Sequence, residues 1–163
     1  MWQTSSLIKL SPVNTMQIKP VEHSSLYCLF ADELRRELDG RDTVVGWYPD
    51  GAKIPMPAEG PAVLARLMTL AIVMTPLQIT PQDMTFSLVL NDAVIHTHSV
   101  PRQHFEDSLV AANSDDVGPL RAGVFRMAMQ AQNLQINEPG RLRVRVVMGD
   151  LVLDSNSLHF IRP

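Results

Sequence analysis

Met84-Thr85-Phe86-Ser87-Leu88-Val89-Leu90-Asn91-Asp92 is the stretch whose reading decides the fold. Phe86, Leu88 and Leu90 fall on one side at the period of two that marks a half-buried strand. Asn91 and Asp92 tolerate the left-handed conformations of a two-residue hairpin, so residues 93–100 are predicted to return as the partner strand. The same pattern recurs toward the C-terminus. Glu138-Pro139-Gly140 reads as a turn, Leu142, Val144 and Val146 alternate with Arg141, Arg143 and Arg145, and Gly149-Asp150 makes the next turn. Residues 151–153 and 158–161 then supply two short apolar pieces rich in strand formers.

Working outward, the 12 prolines lie between apolar runs rather than in one block. Each lacks the N–H that a helix interior or central strand uses, so they punctuate many short elements, and long helices are not expected after residue 48. Between residues 124 and 136 the apolar positions change parity: Phe125, Met127 and Met129 are odd, Leu134 and Ile136 even. That shift predicts a bulge or break near Gln132-Asn133. Short strands joined by Pro, Gly and Asn turns point to a mainly β chain, an antiparallel two-sheet β-sandwich of immunoglobulin-like or C2-like type. Its 163 residues suit one domain. Residues 1–15 lack periodicity and read as a flexible extension, leaving 16–163 as the sandwich.

Residues 24–40 admit two readings. Leu26, Phe30, Leu34 and Leu38 recur every four residues with a Ser before and a Gly after, which is helical spacing. The aromatic and thiol content of Leu26-Tyr27-Cys28-Leu29-Phe30 favours a strand, followed by one short helical turn near residues 31–39. On such a turn Asp32 would meet Arg35 and Arg36. The adjacent carboxylates Asp32 and Glu33 could serve acid–base chemistry or a metal, but neighbours on a helix or strand point apart and rarely share one proton or cation.

The run from Cys28 to Tyr48 resembles the N-terminal motif of an uncharacterised bacterial domain family: an apolar strand, an acidic pair, an Ile or Val and Arg, a Gly-Lys-type turn, and a Leu-Ile-Gly-x-Tyr ending that here reads Val44-Val45-Gly46-Trp47-Tyr48. Asp32, Glu33, Arg35, Glu37, Gly40, Gly46 and Tyr48 occupy the motif positions. Arg41 stands where Lys is usual and Trp47 where a small apolar residue is common. The resemblance covers about 21 residues, implies a β-rich fold and implies no activity.

Hydrophobic residues make up 45% of the chain and charged residues 19%, which excludes disorder along most of its length. The net charge of −3 gives no overall basic field for gripping nucleic acid, which is not expected as a partner on this ground. It divides unevenly: residues 117–163 carry six Arg against three acids, while residues 1–116 hold eight basic and fourteen acidic groups. The single cysteine, Cys28, excludes a disulfide framework within the chain and fits a reducing cytoplasm. The first twenty residues do not read as a secretory signal, and the longest apolar run, residues 67–74, is too short to span a bilayer.

Chemistry-bearing candidates are few. His96 and His98 lie two apart on the predicted return strand and share a face, a spacing that binds zinc when a third ligand such as Asp92, Glu106 or Asp107 approaches. Glu106, Asp107, Asp115 and Asp116 form an acidic connection of the kind that binds calcium at the end of a sandwich, but their spacing fits no EF-hand loop. Arg141, Arg143 and Arg145 form a stripe that suits anions or RNA, or else pairs with acids on neighbouring strands. Trp47 and Tyr48, before Pro49-Asp50-Gly51, read as an aromatic corner for a partner. Cys28 sits in an apolar run as an inert core thiol, and no nucleophile elbow, phosphate loop or dinucleotide fingerprint occurs. No catalytic residue and no cofactor is assigned. The expected function is a non-enzymatic module that holds a protein partner or copies of itself. The alternatives are a metal enzyme or sensor at His96 and His98, and an anion or nucleic-acid binder at the arginine stripe.

Overall fold

The computed structural model describes residues 22–114 and 122–163. In chain order the described elements are β1 (Ser25–Ala31), β2 (Glu33–Arg36), β3 (Asp42–Val45), β4 (Lys53–Pro55), β5 (Ala62–Thr75), β6 (Met84–Leu90), β7 (Ala93–Val100), α1 (Arg102–Ser114), β8 (Gly123–Ile136), β9 (Gly140–Met148) and β10 (Leu151–Ile161). The expected extension at residues 1–15, together with Asp115 and Asp116, lies outside the described residues.

Alternation makes the sandwich. One sheet has the order β1-β5-β8 and the other β4-β10-β9-β6-β7. Cys28, Phe30, Leu67, Ala71, Val73 and Phe125 of the first pack against Phe86, Leu88, Val144, Val146, Leu158 and Phe160 of the second in one buried cluster. Phe86 and Phe125 meet across the layers with ring centres 5.8 Å apart. Pairing is antiparallel throughout, except that β4 runs parallel to β10.

The hairpin that begins the sequence reading forms as expected. Asn91 and Asp92 both take positive φ, 48° and 76°, as a tight β6–β7 turn requires. The Asn91 side chain also donates to the Pro139 carbonyl at 3.0 Å and accepts from the Arg141 N–H at 2.9 Å, so it ties this turn to the start of β9. The parity change in β8 is present with Asn133 at φ 51°, but inside continuous strands: the pairing of residues 65 and 133 alone is skipped, and no one-sided bulge forms. Leu64↔Leu134 and Arg66↔Gln132 keep one register across it.

Three expectations are corrected. Residues 31–39 hold no helical turn: β2 and β3 form a small hairpin arm closed by a Glu37–Arg41 turn, in which the Glu37 N–H reaches the Arg41 carbonyl at 2.8 Å and Gly40 takes φ 83°. The four-residue spacing of leucines misled because Leu38 is wholly exposed at the tip and packs on nothing. Arg36 accordingly pairs across the arm with Asp42 at 3.1 Å and Arg35 with Glu33 at 2.9 Å, not with Asp32. Thirdly, Glu106 and Asp107 lie on α1, where an open acidic connection was expected. The helix starts just after Pro101, its Arg102 N–H donates to the Asp83 carboxylate at 2.8 Å, and fully buried Phe105 stacks edge-on to Phe125 at 6.1 Å.

A bulge between Asp154 and Ser157 interrupts β10. Side chains replace the lost ladder there. Ser155 Oγ accepts the Val144 N–H at 3.0 Å, and Asn156 clamps β1 across the sandwich by accepting the Cys28 N–H at 2.8 Å and donating to the Cys28 carbonyl at 2.9 Å.

Candidate interaction surface

β5 is apolar on both sides. Its odd residues Leu67, Ala71 and Val73 enter the core, while Met68, Leu70, Ile72 and Met74 point the other way. The register places these outward residues in rows with β1 and β8: Ser25–Met74–Val124, Tyr27–Ile72–Arg126, Leu29–Leu70–Ala128 and Ala31–Met68–Gln130. Tyr27, Met74 and Val124 are exposed, Leu29, Met68, Leu70 and Ile72 are partly exposed, and none of the seven packs against the buried core. The outer face of the three-stranded sheet is therefore apolar over these four rows, where the one charge is Arg126 on β8, and it ends at exposed Arg66 of β5, which lies 4.0 Å from Glu33. The hairpin arm extends it: Leu29 lines a shallow depression with Val44 and Trp47, and Trp47 is 57% exposed.

The arm is fastened by the residues of the Cys28–Tyr48 motif. The Asp32 N–H donates to the carbonyls of Val45 and Gly46, and the Tyr48 N–H donates to the Phe30 carbonyl at 2.8 Å. Tyr48 Oη donates to the Asp32 carboxylate at 2.6 Å, and burial together with that bond pushes the phenol up to about 12. Gly46 takes φ 65°, and a Cβ there would collide with the Asp32 carboxylate. Glu33 is held below the usual carboxylate range by Arg35, with Arg66 4.0 Å away. These positions build the arm. Of the two residues in the aromatic corner, Trp47 faces outward and Tyr48 leans onto the core.

The opposite outer face is mixed: exposed Val94 and Val152 flank a charged centre. Arg141, Arg143 and Arg145 lie together on β9, next to Asp154, Ser157 and His159 of β10. Arg143 reaches Asp92 at 2.6 Å and Asp154 at 3.3 Å, and Arg145 meets Asp154 at 2.7 Å. These arginines hold Asp92 and Asp154 below the usual carboxylate range. Two of the three cations are thus already matched, and Arg141 alone of the stripe makes no ion pair among the described residues.

His96 and His98 stand opposite Leu88 and Phe86 on β7, whose residues 93–99 are exposed. A register shift beside Leu88 sets Val94 opposite Val89, off the histidine face. Among the described residues no three His, Cys, Asp or Glu side chains converge as metal ligands. Burial raises the Cys28 thiol far above its ordinary value, which removes it as a nucleophile. No described helix is long and apolar enough to cross a membrane.

The apolar sheet face was not among the sequence candidates. Its signal was residues 67–74, weighed above only against a bilayer: a strand apolar on both sides needs cover on both sides. No family model, no curated protein and no solved structure matches the chain.

Proposed function

We propose that this chain is a non-enzymatic interaction module that holds a protein on the outer face of its three-stranded sheet. The observation that carries this reading is the contrast between the two outer faces. One is laced with ion pairs, whereas the other presents Tyr27, Leu29, Met68, Leu70, Ile72, Met74 and Val124 in register with Trp47 at its corner. A contiguous apolar surface of this kind costs solubility unless something covers it, and aromatic and Met side chains are enriched where proteins dock. The cytoplasm is the compartment proposed, on the single cysteine of the composition. The motif resemblance is retained as a proposed kinship, with its residues serving to build the arm.

A photo-crosslinking residue introduced at Ile72, in cells expressing the full chain, tests this. The expected result is a discrete protein adduct from Ile72 and none from Val152, which is exposed on the opposite side of the sandwich. Absence of an adduct at Ile72 at equal expression refutes the docking face.

A further inference from the structure

We infer that the occupant of the apolar face is a second copy of this chain, stacked sheet on sheet about a two-fold axis that runs along β5. The inference rests on the docking face proposed above and names what sits there.

The register supplies the reason. A two-fold axis parallel to β5, midway between two facing sheets, lays β5 on its counterpart and β1 on the partner's β8, and it preserves each row. In the row Tyr27–Ile72–Arg126, each arginine then meets the tyrosine of the other copy and the two isoleucines meet each other. The one charge within the four rows therefore finds a π surface twice over, and Arg126 has no ion pair among the described residues to give up, whereas Arg66 beyond the rows lies near Glu33. In the row Leu29–Leu70–Ala128, the large Leu29 lies over the small Ala128, which lets the layers interdigitate. Turning the axis perpendicular to the strands destroys both matches, because Arg126 then lies over β8 rather than over Tyr27.

Size and polarity agree. Three strands about 4.8 Å apart, each contributing about seven residues at about 3.4 Å, give a footprint of roughly 14 by 24 Å. Two such footprints amount to about 700 Å² of flat area, to which side-chain relief and the Leu29, Val44 and Trp47 corner add, so the pair belongs to the weak, small-area end of specific interfaces. Homodimer interfaces are the more apolar class and most are two-fold, while aligned sheets stack about 10 Å apart. The four rows hold no carboxylate and offer little to select a charged partner, and an identical face matches them in width and polarity.

Sedimentation velocity of the full chain over a concentration series tests the pairing. The expected result is a monomer–dimer equilibrium populated at about 50 µM, near the middle of the measurable affinity range. Ile72→Glu abolishes the dimer. Arg126→Ala raises its dissociation constant roughly 5- to 30-fold, from two cation–π contacts at about 0.5–1 kcal/mol each, and Arg126→Lys restores part of the loss. Ile72→Cys is joined copy to copy by a short bis-maleimide, whereas Val152→Cys is not. Should Ile72→Glu fail to fold, the Arg126 variants and the crosslink remain decisive.

A chain that stays monomeric, or a dimer indifferent to Ile72→Glu, overturns the inference. If that monomer still yields an Ile72 photo-adduct with a different protein, self-association alone has failed and the docking face stands. If it yields none, both have failed.

Discussion

Replacing Asn156 by Ala should destabilise the fold by far more than a typical surface substitution. The Asn156 amide makes two hydrogen bonds, 2.8 and 2.9 Å, to the N–H and carbonyl of Cys28, 128 residues away. Each such bond contributes about 1 kcal/mol net, and leaving a partly buried backbone donor and acceptor unmet costs about 1 kcal/mol or more apiece. The expected loss is about 2–4 kcal/mol. With a urea slope of about 2 kcal/mol/M, the unfolding midpoint should fall by roughly 1–2 M with the slope unchanged. Asn156→Asp sharpens the test. One carboxylate oxygen still accepts the Cys28 N–H, but the other faces the Cys28 carbonyl with no proton between them, so the loss at neutral pH should be at least as large. It should shrink when acid protonates the carboxylate. Equilibrium urea unfolding followed by far-UV circular dichroism measures both variants. A midpoint shift for Asn156→Ala below about 0.3 M would mean that water replaces the clamp and that β1 is held by β5 alone.

Three further outcomes are expected. Gly46→Ala should cost about 1–3 kcal/mol, because a side chain there meets both a left-handed φ and the Asp32 carboxylate; amide exchange should quicken first in residues 32–48, and unchanged protection would count against this. The Cys28 thiol should be inert to a thiol reagent in the native protein and react only as fast as the chain unfolds, so prompt labelling under native conditions would contradict its burial. Arg145 and Arg143 hold Asp154 low, so its stabilising contribution is complete above the unfolded carboxylate pKa of about 4 and is lost as pH falls through the lower folded value. The melting temperature of Asp154→Asn should therefore drop less than the parent's between about pH 5 and about pH 3, and an equal drop refutes the assignment.

The strands were legible wherever alternation and turn chemistry agreed. Phe86 and Leu88 with Asn91-Asp92, and Leu142, Val144 and Val146 after Pro139-Gly140, carry their own register. Legibility failed where local spacing competed with tertiary pairing. Residues 33–36 read as a helical turn because Leu34 and Leu38 fit a period of four, yet Asp32, Gly46 and Tyr48 fix an arm whose turn is set by Gly40. α1 was hidden for the opposite reason. Its sequence is polar and weakly patterned, and its anchor, Phe105, is a single residue whose partner Phe125 lies 20 positions on. The arginine stripe was visible, but its matching to Asp92 and Asp154 depends on three strands meeting. The apolar sheet face needed knowledge of which side of β5 the core occupies, and no local window supplies that.

The bulge in β10 has a consequence for how the chain is made. Cys28 leaves the ribosome 128 residues before Asn156, whose amide secures its strand, and the strand that borders β4 is the one that carries Asn156. Neither the five-stranded sheet nor the clamp on β1 can be completed until residues 151–161 have emerged. Until then the apolar sides of β5 and β6 have no finished layer to close against. Synthesis therefore exposes this chain to a long interval of partly formed sheet, when chaperone contact matters most and when a slowed ribosome near the bulge would be most damaging.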